Sequence, residues 1–146
     1  MSEPRKPRKP ASSRARPAAF RRTRADHQTE ISEDYVEIIA DIIDERGEAR
    51  GNDVALRMGV SNATVVKTLK RLQDSGLVTQ EPYRPIFLTD DGRRLAEEGR
   101  RKHRIVEDFL LALGVGAETA HIDSEGIEHH VSDETLAAMA RFLRGR

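Results

Sequence analysis

Small and apolar residues between Val54 and Leu72 are spaced for two short helices that cross at a tight turn. Val54, Ala55 and Met58 occupy one side of a helix running from about Asn52 to Met58. Gly59-Val60 follows as a turn, and Ser61 is placed to cap a helix that buries Val65-Val66, Leu69 and Leu72. Gly76 stands just beyond its end. Helices this short are not stable alone, so their apolar faces must close on each other and on neighbours.

The flanking sequence supplies those neighbours. Order is expected to begin near Ile31, with Ser32 as an N-cap and Glu33 and Asp34 in the first turn. Tyr35, Ile38, Ile39, Ile42 and Ile43 keep a helical period as far as Gly47. Downstream, Leu77-Val78-Thr79 and Ile86-Phe87-Leu88 flank a loop that contains Pro82, Tyr83, Arg84 and Pro85, the pattern of a β-hairpin. Pro85 is awkward beside a strand. Thr89 caps a long helix that opens with Asp90 and Asp91 and runs past Leu95, His103, Val106 and Leu110 to Gly114. A fifth helix covers about Ala117 to His130. Ser132 caps a sixth, in which Leu136, Met139, Phe142 and Leu143 are apolar. Three helices, a hairpin and three more helices give a mainly α chain. Its first half has the element order of a winged helix-turn-helix, and its second half is amphipathic in a way that suits a dimer interface. The expected division is a basic disordered arm over 1–30, a DNA-binding unit over 31–89 and a helical unit over 90–146.

Composition narrows the class. Aromatic residues make up 4% of the chain and tryptophan is absent, so the core must come from aliphatic side chains on helices. A small core of that kind often relies on a partner subunit. Without cysteine there are no disulfides and no thiolate metal ligands, and a cytoplasmic location is expected. No apolar run approaches ~18 residues, and the basic N-terminus lacks the apolar segment of a secretory signal, so neither membrane insertion nor export is expected. The net charge of zero hides an asymmetry. Residues 1–30 hold nine Lys/Arg against three Asp/Glu, a net of +6, which leaves −6 on the remainder. A basic arm on an acidic body suits a nucleic-acid binder.

Positive charge in the body gathers on the third helix, the wing and the start of the long helix, which carries Arg93, Arg94, Arg100, Arg101, Lys102 and Arg104. The third helix is expected to present Asn62, Thr64, Lys67, Thr68, Lys70 and Arg71 outward, with Ser61 at its cap. Asn62 and Thr64 lie near the N-terminus, the part that reaches base edges when such a helix enters the major groove. Lys67, Lys70, Arg71 and the wing's Arg84 suit phosphate contacts.

Three further segments carry carboxylates and imidazoles at helical spacing. Asp34 and Glu37 are i, i+3 on the first helix, and His103 and Glu107 are i, i+4 on the long one. Glu125, Glu128 and His129, within Ser124-Glu125-Gly126-Ile127-Glu128-His129-His130, share one face if that stretch is helical. One such cluster is ordinary solvated surface, but three with ligand chemistry point to a metal. Oxygen and nitrogen donors without sulfur favour Mn(II) or Fe(II) over a thiolate-bound zinc. His130 points roughly 100° away from His129 on a helix and is expected to be structural, while His27 falls in the arm.

Taken together, Glu33-Asp34-Tyr35-Val36-Glu37, Val60-Ser61 to Leu72, Tyr83-Arg84-Pro85-Ile86-Phe87-Leu88-Thr89, Arg101-Lys102-His103-Arg104 and Glu125 to Ser132 make the chain resemble the manganese-type members of the DtxR/MntR family of metal-dependent repressors. The resemblance runs from about Ser32 to Leu143. It implies that Asp34, Glu37, His103, Glu125, Glu128 and His129 bind Mn(II), often as a two-ion cluster, with Fe(II) or Co(II) as other ions the set would accept. Iron-type relatives carry sulfur at the position of Glu125, so the carboxylate is the manganese-type choice. Glu107 matches an ancillary ligand of those relatives, and His121, one turn before Glu125, lies on the same stripe; both are weaker candidates. The resemblance further implies a homodimeric repressor of manganese uptake genes on a near-palindromic double-stranded DNA operator, with no third, SH3-like domain. The arginine-rich arm and Pro85, where a glycine is expected in the wing, depart from the pattern.

Metal would tie the first helix of the reading head to the dimerisation half and fix two recognition helices roughly 34 Å apart. The alternatives are an Fe(II)-responsive member of the same family, a metal-independent winged-helix repressor that senses a small molecule, and a dinuclear metallohydrolase. The last lacks a separate acid/base pair, a phosphate loop or a nucleophile motif.

Overall fold

The computed structural model describes the backbone of residues 15–146 and the side chains from residue 29 onward. Eight elements follow the expected order: α1 (Ala15–Arg46), α2 (Gly51–Met58), α3 (Asn62–Asp74), β1 (Val78–Thr79), β2 (Phe87–Leu88), α4 (Asp90–Ala112), α5 (Ala117–Ile127) and α6 (Asp133–Arg144).

The start of α1 corrects the sequence reading. Ser32 lies inside the helix, not at its cap, and the backbone is helical from Ala15. Positive charge argued for an unfolded arm, but the stretch 15–30 is rich in alanine and arginine and has no glycine. Its one proline, Pro17, sits in the first turn, where a missing N–H breaks no helical bond. Helix propensity therefore outweighs charge. Residues 1–14, and the His27 side chain, lie outside the described residues.

The expected caps on α3, α4 and α6 are present. Ser61 Oγ accepts from Thr64 N at 3.1 Å, Thr89 Oγ1 from Gly92 N at 3.0 Å and Ser132 Oγ from Thr135 N at 3.2 Å. Between α2 and α3, Gly59 has φ 68°, the left-handed conformation that lets two crossing helices meet in so short a turn. The hairpin is shorter than read from sequence. Val78 pairs with Leu88 and Thr79 with Phe87, while Ile86 bridges Ala49 in the α1–α2 loop. Pro85 lies just before the paired residues of the second strand run, so its missing N–H removes no ladder bond. The wing tip is Tyr83, fully exposed, with φ 64° where glycine would fit without strain.

The reading head has the main core. Tyr35, Val36, Ile39 and Ile42 from α1 pack with Val54, Val65, Leu69 and Leu72, and Val78, Ile86 and Leu88 of the hairpin region close the far side. At Gly92 a Cβ would overlap the carbonyl oxygen of Leu77, so the first turn of α4 sits directly on the hairpin. The helix α4 then continues out of the head and packs against α1, α5 and α6. This distal half is thin. Val106, Ala120 and Leu136 are its buried aliphatics, and Phe109 meets Phe142 edge to face at 5.4 Å. Leu111, Leu113, Ile122 and Phe142 remain exposed, an apolar surface that suits a second subunit.

Candidate metal centre and DNA-reading face

The spacing argument for Glu125, Glu128 and His129 assumed one continuous helix face. In the structure α5 ends at Ile127, and Glu128, His129 and His130 form the turn that leads to α6. Glu128 N still bonds Ser124 O at 3.0 Å, so its carboxylate keeps a helical direction and points inward. His129 breaks away toward α1. Gly126 and the acidic residues beside it disfavour the last turn of a helix, and leaving the helix lets two adjacent residues approach the same site from different angles.

The six ligands implied by the resemblance converge from α1, α4 and the end of α5. His129 Nε2 lies 2.9 Å from Asp34 Oδ1 and 3.3 Å from Glu128 Oε1. His103 Nδ1 lies 2.9 Å from Glu128 Oε2 and 3.6 Å from Glu125 Oε1. Glu37 joins them from α1, in space left by Gly99 of α4; a Cβ at that glycine would come within 2.9 Å of Glu37 Cδ and overlap its Oε1. The two weaker candidates lie to one side. Glu107 contacts His103 Nε2 at 2.8 Å and His121 Nδ1 at 3.6 Å, and the two imidazoles pack edge to face.

One functional residue escaped the sequence reading. Glu33, taken there as a first-turn residue, is buried and accepts from His129 Nδ1 at 2.7 Å. Lys102 sits 3.6 Å from its other oxygen. This pairing orients the His129 ring and aims Nε2 at Asp34 and Glu128. The signal was the Glu33-Asp34 doublet at the head of a buried stripe: adjacent residues diverge by roughly 100° on a helix, and Glu33 falls three residues before Val36 on that stripe.

Glu37 Oε1, both Glu128 carboxylate oxygens and His129 Nε2 are buried and have no hydrogen-bond partner among the described residues. The short approaches of Glu128 and His129 to their neighbours bring the atoms close without aligning a hydrogen bond. A cluster of orphaned oxygen and nitrogen donors is costly unless a cation completes it, and donors of this type fit a hard or borderline divalent ion.

Titration of the site follows from the same burial. Desolvation, aided by the surrounding carboxylates, pushes Glu37 up to about 7 and Glu128 up to about 8, from an ordinary value of 4.5. Burial alone would lower His129, but the Asp34 and Glu33 carboxylates outweigh it and hold the imidazole at about 10. All three folded-state values lie above the unfolded ones. The stability linked to Glu37 and Glu128 is therefore complete below 4.5 and is lost as pH rises through about 7 and 8; for His129 it is lost toward about 10. The same protons must leave before the donors can hold a metal. The melting-temperature gap between Mn(II)-saturated and metal-free protein is accordingly expected to widen from pH 6 to pH 8. A gap that stays constant over that range would contradict this ionisation scheme.

On the reading head, α3 exposes Asn62, Thr64, Lys67, Lys70 and Arg71, and Ser61 is exposed at its cap. Thr68 is a correction: it is buried and its hydroxyl donates to Thr64 O at 3.0 Å, as expected for a threonine one turn from the next layer of core. Val66, read as an inward residue, is exposed, because only Val65 of the pair can face α2. The basic residues of α4 also differ from expectation. Arg93 pairs with Asp90, Arg94 with Asp91, Arg100 with Asp41 and Arg101 with Glu98. By contrast, Lys67, Lys70 and Arg71 pair with no carboxylate among the described residues. Arg84 in the wing is exposed, 3.6 Å from Glu81.

Comparison with known proteins agrees with this architecture. Residues 27–86 match the model of the iron dependent repressor N-terminal DNA binding domain, and residues 89–145 match the iron dependent repressor metal binding and dimerisation domain. The chain is 54% identical over 125 residues to the transcriptional regulator MntR of Escherichia coli O6:H1, covering 86% of this chain and 81% of that protein. It is 38% identical over 104 residues to the HTH-type transcriptional regulator MntR of Geobacillus kaustophilus, covering 71% and 74%. Among solved structures, a manganese-dependent transcriptional repressor in complex with manganese superposes with a TM-score of 0.69 at 32% identity; the match takes in 77% of this chain and about half, 52%, of that longer one. The chain therefore belongs to the iron-dependent repressor family, the DtxR/MntR family of metal-dependent transcriptional regulators.

Proposed function

We propose that the protein is a Mn(II)-responsive repressor that binds a near-palindromic operator as a homodimer, and that it controls manganese uptake genes from the cytoplasm. The observation that carries this reading is the set of orphaned donors, because they come from both halves of the chain. Glu37 belongs to the reading head's own α1, whereas Glu128 and His129 end α5 in the distal half. Relatives named as manganese regulators support the choice of metal. No helix among the described residues is long and apolar enough to cross a membrane.

Asp34, Glu37, His103, Glu125, Glu128 and His129 would hold the metal, with Glu107 and His121 as the basis of a second position. A bound divalent ion supplies the positive charge that lets these carboxylates ionise together. Without it, Glu37 and Glu128 keep protons or repel, and α1 is held to the distal half mainly through His129 and the α1–α4 packing. With the carboxylates ionised and tied, α1 becomes fixed relative to α4–α6 and the two reading heads of a dimer take one spacing. The domain division, 31–89 for reading and 90–146 for metal and dimer contacts, follows the same logic, with α1 spanning the first boundary.

For DNA contact, Asn62 and Thr64 are positioned for base edges. Val66 offers an apolar contact for a thymine methyl. Lys67, Lys70, Arg71 and Arg84 suit phosphates. Replacing Lys67 or Lys70 with Ala should weaken operator and random DNA alike and reduce the log affinity–log salt slope by about 0.9 per lost phosphate contact. Asn62→Ala should cost roughly 1–3 kcal/mol on the operator and leave the slope unchanged. Equal behaviour of the two classes in a salt-series binding assay would contradict this division. The reading as a whole is tested by DNA-binding titrations with Mn(II), Fe(II), Co(II) and Zn(II). A DNA affinity that responds to Mn(II) stoichiometrically, without turnover, supports it; preference for Fe(II) transfers the chain to iron sensing.

A further inference from the structure

The continuation of α1 upstream of Ser32 brings in a carboxylate that lies outside the six-residue ligand set. Glu30 is one turn before Asp34 on α1, at i, i+4, so both project from the same side of the helix. An oxygen of Glu30, an oxygen of Asp34 and a ring nitrogen of His129 all lie within 4.8 Å of one another. Two carboxylates alone would be ordinary helix surface. The His129 side chain makes the difference: it is 1% exposed, its Nδ1 is engaged by Glu33, and its Nε2 has no hydrogen-bond partner. A sealed imidazole with one nitrogen oriented by a carboxylate and the other left open is the arrangement of a metal-ligating histidine. Glu30 and Asp34 are partly exposed, with side chains at 25% and 35%. They therefore line the solvent side of the position, where an ion enters and where bound water completes its shell.

We propose that Glu30 is a direct ligand of the divalent ion held by Asp34 and His129. The inference rests on the metal-responsive reading of this centre and adds to it. Glu30 and Asp34 come from consecutive turns of α1, so the metal centre grips the reading head's helix over a longer stretch than Asp34 and Glu37 alone span. In a neighbouring group, ligand atoms of His103, His121 and Glu125 lie within 4.8 Å of one another, and Glu30 is not part of it. Glu30 also lies 3.3 Å from His130 Nε2, in the turn after α5. An ion pair with His130 is the competing role.

The test is a direct Mn(II) titration of the full chain, with free Mn(II) read by electron paramagnetic resonance to give affinity and stoichiometry. The variants are Glu30→Gln, Asp34→Asn and His130→Ala. Glu30→Gln is expected to lower Mn(II) affinity roughly tenfold or more, or to remove one bound ion, while His130→Ala binds as the wild type. Wild-type binding by Glu30→Gln would overturn the inference. So would a His130→Ala variant that reproduces the loss, since Glu30 would then act through His130. If Asp34→Asn loses metal and Glu30→Gln does not, only the Glu30 assignment fails. If Asp34→Asn also binds normally, the reading of the whole centre fails with it.

Discussion

Replacing Glu128 with Gln is expected to raise the melting temperature of the metal-free protein and to abolish its stabilisation by Mn(II). Glu128 is fully buried, and neither of its oxygens has a hydrogen-bond partner. Its carboxyl is pushed up to about 8 by desolvation and by Glu37, so at neutral pH the folded chain holds a proton that the unfolded chain has released. Glutamine keeps the shape of the protonated acid and has no such linkage. At pH 8 the metal-free variant should gain on the order of 2 kcal/mol, which is roughly 5 °C in melting temperature for a chain of this size. The gain should vanish below about pH 4.5, where both forms of glutamic acid are neutral. In the presence of Mn(II) the order reverses. The variant lacks a carboxylate shared between His103 and His129, and its metal affinity should fall by about a hundredfold or more. Thermal melts with and without Mn(II), at pH 4 and pH 8, read both effects. A variant that is less stable than wild type without metal at pH 8 would contradict the electrostatic assignment.

Gly99→Ala should separate stability from metal response in a second way. An added Cβ collides with the end of the Glu37 side chain, and that flexible carboxylate can swing away without moving the backbone. Within α4, alanine also favours helix by up to about 1 kcal/mol over glycine. Stability without metal should thus be unchanged or slightly improved. Glu37, however, cannot return to its place between α1 and α4, and Mn(II) affinity should drop roughly tenfold to a hundredfold. Calorimetric titration with Mn(II), beside a thermal melt, checks the pair of outcomes. Loss of the fold would show that Gly99 is required for helix packing alone, and normal metal binding would remove Glu37 from the centre.

The fold was readable from sequence where local chemistry is decisive. Ser61, Thr89 and Ser132 cap their helices because a hydroxyl before a helical period satisfies an otherwise orphaned N–H. The wing followed from two short β-rich runs around a proline-bounded loop. What could not be read were outcomes decided by competing local preferences or by contacts remote in sequence. The stretch 15–30 is equally describable as a charged arm or as good helix former, and the helix continues through it. Thr68 is polar by type yet buried by register, and Val66 the reverse. At the metal centre, the residue types and their three-segment origin were visible. Glu33 was missed because its role depends on His129, ninety-six residues away. The space left for Glu37 by Gly99 likewise depends on how α1 and α4 meet, which no spacing within either helix reveals.

Operator affinity measured with and without saturating Mn(II), for the wild type and Glu128→Gln at equal protein concentration and salt, is the most direct test of metal control over DNA binding. Coupling between the two sites of this kind is typically 1–3 kcal/mol. The wild type should therefore bind roughly 5- to 150-fold more tightly with Mn(II), and Glu128→Gln should show the same weak affinity in both conditions. Equal wild-type affinity with and without Mn(II) would contradict the mechanism, whatever the metal occupancy of the site.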